Sequence, residues 1–303
     1  MIVQERLARW FFAAAPARSL AVIRVGVGAY ALAWLAFTVT ELLALGDLDP
    51  SRFEPVGVVW ALGIEPLDRW GIGVVCAVTV VAAGTVVSGR WFRVAGPTFA
   101  LGLLFLTTYQ NSWGKLLHTE NVLVIHALVL AVSPAGDALV LGRRRRRPDS
   151  FRYGWPLRTM ALATVLAYVA AGVSKLRYGG LGWMTAENLQ SWVAFDLVRK
   201  ELFGDPYLSA VVDALDHAWP FAAAAVLTVA VELAAPVALL GGRWARAWVA
   251  GAWLLHASVL VVMAVGFPYQ LVGVAFLPVL LAGRRVPEDG SCTSERARAP
   301  VHR

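Results

Sequence analysis

Lys175 is the residue best placed for proton chemistry. It ends an apolar run, LRTMALATVLAYVAAGVSKL (157–176), while still at the depth of a bilayer. A charged amine costs about 2.5–3.5 kcal/mol at the centre of a spanning helix and less toward the interface. An amine held in a dry surrounding gives up its proton more readily than one in water, and so serves as a general base. The plain alternative is snorkelling, in which the long stem lifts the ammonium to the headgroups. Two imidazoles bear on that choice. His118 precedes one apolar run and His256 sits within another, WVAGAWLLHASVLVVMAVG (248–266); either suits orienting a substrate or relaying a proton. Tyr168, seven residues before Lys175, shares nearly the same helical face. Asn121, Trp183 and Tyr269 stand at the same level and complete a candidate substrate-binding set. His126, further along its run than His118, is about 12 Å deeper and about 80° around a helix. Deeper still, Arg24 and Glu232 are each costly alone and are expected to pair.

Polar groups at such depth need helices to hold them. The chain has 303 residues, 58% hydrophobic and only 16% charged, with a mean hydropathy of +0.63. Soluble domains run to about 25% charged, so the composition is that of an integral membrane protein. The apolar runs predict an all-α bundle of about eight transmembrane helices, near 20–45, 71–88, 94–109, 121–141, 157–176, 219–240, 246–265 and 268–282. Residues 177–218 read as an interfacial segment between helices five and six, and Pro236 predicts a kink in the sixth. Residues 1–18 form a basic interfacial helix too short for a signal peptide, 19–283 the transmembrane domain, and 284–303 a disordered cytoplasmic tail. Between the two cysteines, Cys76 and Cys292, no disulfide is expected.

The net charge of +7 does not point to nucleic acid, because the basic residues cluster between apolar runs. With a cytoplasmic N-terminus, eight crossings leave Arg90/Arg93, Arg143–Arg147, Arg243/Arg246 and Arg284/Arg285 all inside. Segments 46–70, 110–120, 177–218 and 266–270 fall outside, where Lys and Arg are sparser. Both termini are then cytoplasmic and the location is a plasma (inner) membrane, with the lipid bilayer itself the first partner. Anionic-lipid contact is a secondary role for the arginine run. A Gly-rich phosphate loop, HExxH, an EF-hand loop and GxSxG are all missing, and no metal site is expected.

AGVSKL (171–176) followed by Trp183 resembles the AGxxKL…W signature of the horizontally transferred transmembrane (HTTM) domain, shared with vitamin K-dependent gamma-carboxylases. Arg24 early in the first helix, NSW at 111–113, VELAAP at 231–236 and the stretch from His256 to GFPY (266–269) follow in order, so the resemblance covers about 15–285. It implies a multi-helix membrane bundle whose site opens to the non-cytoplasmic side. It also implies that Lys175 stands where the carboxylase has the base that deprotonates vitamin K hydroquinone. The oxygenated product there removes a proton from glutamate before carbon dioxide adds. Ser174 replaces the first of two adjacent lysines, and the luminal propeptide-binding domains have no counterpart in these residues. The resemblance therefore implies a quinol-dependent modifying enzyme with a reduced vitamin K-type quinol as cofactor or substrate. The alternative is a non-enzymatic helper for maturation or export of a secreted peptide. A solute transporter is less favoured, because the chain has no internal repeat or paired broken helices.

Overall fold

The computed structural model describes residues 2–114, 117–143, 147–205 and 208–283; the expected tail at 284–303 and Cys292 lie outside them. Among the described residues the secondary structure is helical, apart from two isolated β-bridges. The α-helices are α1 (Ile2–Phe11), α2 (Ala17–Ala44), α3 (Gly57–Ala61), α4 (Arg69–Ser88), α5 (Phe92–Asn111), α6 (Asn121–Ala131), α7 (Phe151–Gly179), α8 (Ala186–Phe203), α9 (Ser209–Ala214), α10 (Ala218–Leu233), α11 (Gly242–Met263), α12 (Pro268–Leu271) and α13 (Leu277–Ala282). Many core residues are β-branched valines of modest helix propensity. A helix is still required, because an apolar surrounding leaves backbone groups no partner but their own chain. The threonines follow the same rule: Thr38, Thr79, Thr85, Thr98 and Thr228 each donate to the carbonyl four residues back.

Four helical stretches are long and apolar enough to cross a membrane: Ala17–Asp47, Arg69–Ser88, Phe151–Met184 and Gly242–Met263. Two shorter apolar helices are Asn121–Ala131 and Ala218–Leu233. The architecture is that of an all-helical protein compatible with a membrane, but eight unbroken spans are not what forms. The run at 121–141 stops being α-helical after Ala131, and Val132 to Val140 becomes a loop with a single 3-10 turn beyond Pro134. The run at 219–240 changes at Leu233 to a 3-10 helix, Ala235–Leu240. Pro236 has no N–H to give the Glu232 carbonyl, and its ring crowds that oxygen. The expected kink is therefore a change of helix type. The run at 268–282 breaks at Gly273, whose φ is 79°, and leaves α12, a 3-10 turn and α13. It still runs back along α11: Trp253 Nε1 donates to Leu271 O at 2.8 Å, and a Cβ on Gly241 would stand 3.1 Å from Gly283 Cα.

The helices α2, α4, α5 and α6 pack in succession, and α7 then joins α6 to α10 and α13. One core holds Leu20, Ile23, Phe99, Leu103 and Leu157; a second holds Val165, Tyr168, Trp248 and Phe276. Outward faces carry exposed Phe37, Val74, Val81, Leu101, Leu166, Leu254 and Val261. Apolar side chains presented outward along long helices are what a hydrocarbon surrounding favours. Within 177–218, α7 continues to Gly179 and a 3-10 turn leads to α8 and α9, whose Val193, Leu197 and Val211 cover Phe221. After α1 the chain pairs Ala15 with Ser150 through two backbone hydrogen bonds, and Arg158 donates to Ala13 O at 2.8 Å.

Candidate functional site

The site grows from one face of α7. Gly172 is buried there, and a Cβ on it would stand 2.9 Å from the Leu233 side chain and 3.0 Å from Glu232 Cβ. Lacking that atom, α7 lets the end of α10 approach to contact. Ala170, one of the other small residues of this stretch, is exposed. One turn beyond Gly172, Lys175 Nζ donates to Glu232 Oε1 at 2.6 Å, with side-chain exposures of 23% and 8%. The 3-10 turn after α7 lays the Trp183 ring 5.0 Å from the same ammonium, a cation–π contact.

Two turns earlier on that face, the Tyr168 hydroxyl lies 2.6 Å from His256 Nε2 on α11, and the tautomer decides which group donates. Trp248 packs edge-on to Tyr168 at 4.9 Å, and its Nε1 donates to Val231 O beside Glu232. Three helices thus bring an amine, a carboxylate, a phenol and an imidazole together. Phe267 stands between the two expected imidazoles, 4.8 Å from His256 and 6.1 Å from His118. His118 and Asn121 are exposed, and His118 reaches His256 only through the Phe267 ring among the ring contacts of the described residues. Two buried polar atoms, Glu232 Oε2 and His256 Nδ1, have no hydrogen-bond partner among the described residues. An unsatisfied buried polar atom costs about 1–3 kcal/mol, and it marks a place where a further polar group would be welcome.

Tyr269 belongs elsewhere. It is 1% exposed, and its hydroxyl is 2.8 Å from His126 Nδ1. His126 Nε2 reaches Thr164 Oγ1 at 3.1 Å and Met160 O at 3.2 Å, while Tyr30 packs on the Tyr269 ring at 4.8 Å. That network satisfies the buried imidazole completely. Its sequence signal was a histidine within an apolar run, about 12 Å deeper than His118.

The expected Arg24–Glu232 pair does not form. Fully buried Arg24 donates instead to the carbonyls of Ala135 (3.1 Å), Ala138 (3.3 Å), Leu139 (2.7 Å) and Val87 (3.5 Å). These oxygens lie in the loop after α6 and at the end of α4, where helix termini leave carbonyls without intrahelical partners. The carbonyl cradle takes the place of a carboxylate. Gly89 caps α4 at φ 73°, and any Cβ there would collide with the guanidinium. Glu232, at the end of a helix shorter than the expected span, is left for Lys175.

Sequence reasoning also missed a charged knot on α8. Asp196 pairs with Lys200 at 2.5 Å and Arg199 at 3.0 Å, and Lys200 donates to Met263 O at the end of α11. Burial pushes the Asp196 carboxyl up, but the hydrogen bonds and charges of Lys200 and Arg199 outweigh it and hold the group below its usual range. Among the described residues no cluster of His, Cys, Asp and Glu could hold a metal ion. Compared with family models, curated proteins and solved structures, the chain matches none.

Proposed function

We propose that this chain is an HTTM-like, multi-pass membrane protein in which Lys175 and Glu232 form a proton-transfer couple for a lipid-soluble quinol. In this reading the chain crosses the plasma membrane eight times, with shortened or broken helices making some crossings and both termini cytoplasmic. The distribution of arginine clusters supports that orientation. The observation that carries the functional reading is the 2.6 Å Lys175–Glu232 pair beside two atoms, Glu232 Oε2 and His256 Nδ1, that have no partner among the described residues.

The chemistry follows from the pair. Passing the ammonium proton to Glu232 Oε1 leaves a neutral amine beside a neutral acid. The amine then takes a hydroxyl proton from the quinol, giving a quinolate held beside the restored ammonium. Glu232 keeps the first proton on Oε1 as the neutral acid. His256, held by Tyr168, offers Nδ1 to the quinol's second oxygen, and Trp183 gives the ring an aromatic face. A reduced vitamin K-type quinol fits the resemblance of AGVSKL…W to the carboxylase membrane domain.

Oxidation of a reduced vitamin K-type quinol by dissolved dioxygen, which takes up its two electrons, tests this directly in proteoliposomes. Lys175→Ala is expected to lose at least about 100-fold in rate, the usual contribution of a positioned base, while remaining folded. Unchanged turnover refutes the base. If maturation of a secreted peptide fails while turnover persists, the helper reading replaces the enzymatic one.

A further inference from the structure

The other end of α7 carries a second site. Arg152, on its first turn, is about 35 Å along the helix axis from Lys175. A cavity of about 800 Å³ opens there between the α4–α5 turn, the loop after α6 and the start of α7. Arg90, Arg93, Arg143, Arg147 and Arg152 all line it, and no carboxylate pairs with any of them among the described residues. The one acid in the lining, Asp137, is engaged by the Tyr153 hydroxyl at 2.8 Å. Five arginines around one hollow concentrate positive charge that attracts an anion, and phosphate oxygens are the acceptors that guanidinium forks fit best.

The back wall is built rather than incidental, because Arg24 fastens the carbonyls of Ala135, Ala138 and Leu139 from behind the loop. At the mouth, Trp91 adopts φ 47°, a conformation bulky residues seldom take, and stands 81% exposed. Trp91 and Val94 also line a second hollow, an apolar groove of about 460 Å³ between α4 and α5. It runs from Thr85 to Ala77, about 12 Å along α4, past Val78 and Val81. The basic cavity and the apolar groove thus adjoin at Trp91 and Val94.

We infer that this composite site holds one anionic phospholipid, its phosphate among the arginines and an acyl chain in the α4–α5 groove. A solvated basic face or a topology signal needs neither the cavity nor the groove. A free phosphate needs only the cavity. The groove is what selects the lipid.

The purified full-length chain in detergent, titrated with phosphatidylglycerol or phosphatidylcholine of matched chains and read by native mass spectrometry, tests the assignment. Phosphatidylglycerol is expected to bind in preference. R90Q/R93Q/R152Q is expected to weaken it by at least about tenfold, since each basic residue near a headgroup contributes several-fold. R9Q/R243Q/R246Q removes equal charge outside the cavity and is expected to leave it unchanged. Val81→Trp, which fills the groove without altering charge, is expected to weaken phosphatidylglycerol binding as well. Equal binding of the two lipids, or equal loss in the two triple variants, overturns the proposal. So does displacement of phosphatidylglycerol by millimolar inorganic phosphate together with indifference to Val81→Trp, which would mark a free-phosphate site. Thermal unfolding of each variant, expected to match the parent, separates lost binding from lost fold.

Discussion

The Lys175–Glu232 pair can be taken apart in a double-mutant cycle. Breaking a fully buried ion pair by removing one partner costs about 3–5 kcal/mol, because a charge is stranded. Lys175 keeps 23% of its side chain exposed and can lift its ammonium toward water. Glu232→Leu should therefore cost less than that range, about 2–3 kcal/mol. Lys175→Met strands the carboxylate, which is only 8% exposed. Its cost should be about 3–4 kcal/mol, limited by the carboxyl taking up a proton. The double variant leaves no charge behind and fills the same space with apolar atoms, so it should unfold within about 1 kcal/mol of the parent. The coupling between the two sites is then about 4 kcal/mol or more. Unfolding by a graded denaturing detergent, followed by the ellipticity of the helices, measures all four corners. Additive losses, within about 0.5 kcal/mol, would refute a direct ionic partnership. The same double variant isolates function from fold: a stable protein with no quinol turnover is expected.

Arg24→Leu removes every side-chain donor from the carbonyls of Ala135, Ala138, Leu139 and Val87. A loss of about 3–5 kcal/mol in the same unfolding assay is expected, and a loss under about 1 kcal/mol would show that the cradle is not holding the loop. Gly172→Val forces α10 away from α7 and should both cost about 1–3 kcal/mol and abolish quinol turnover; full activity in this variant would disconnect the close approach from the site. Tyr168→Phe deletes the 2.6 Å bond to His256 and should lower turnover more than stability, by about tenfold or more against about 1 kcal/mol. For Asp196 the sign follows from a carboxyl held below its usual range. The stabilisation is present above about pH 4 and is lost as the pH falls through the folded-state value. Asp196→Asn should therefore flatten the acid limb of the stability profile, and an unchanged limb would exclude the α8 knot as its source.

The face shared by Tyr168 and Lys175 was legible because helical spacing survives in any environment, and Gly172 announced a close approach because nothing else explains a glycine there. Partners were harder to read. Glu232 was expected deeper than Lys175, in the inner half of a continuous span, but the close approach of α10 to α7 at Gly172 brings its carboxylate to the ammonium. Arg24 was matched to a carboxylate because a side-chain charge looks for a side-chain charge, whereas its actual acceptors are backbone oxygens that no residue type encodes. Both errors arise where a helix stops short inside an apolar run. A helix that stops inside an apolar layer releases carbonyls that water cannot reach, and a cation must then be supplied to them. After the run from Asn121 breaks off at Ala131, the loop that follows turns its Ala135, Ala138 and Leu139 carbonyls to Arg24, and part of that loop lines the basic cavity. A costly arginine in the first span and a proline in the fourth are thus two halves of one device, and neither could be interpreted without the other.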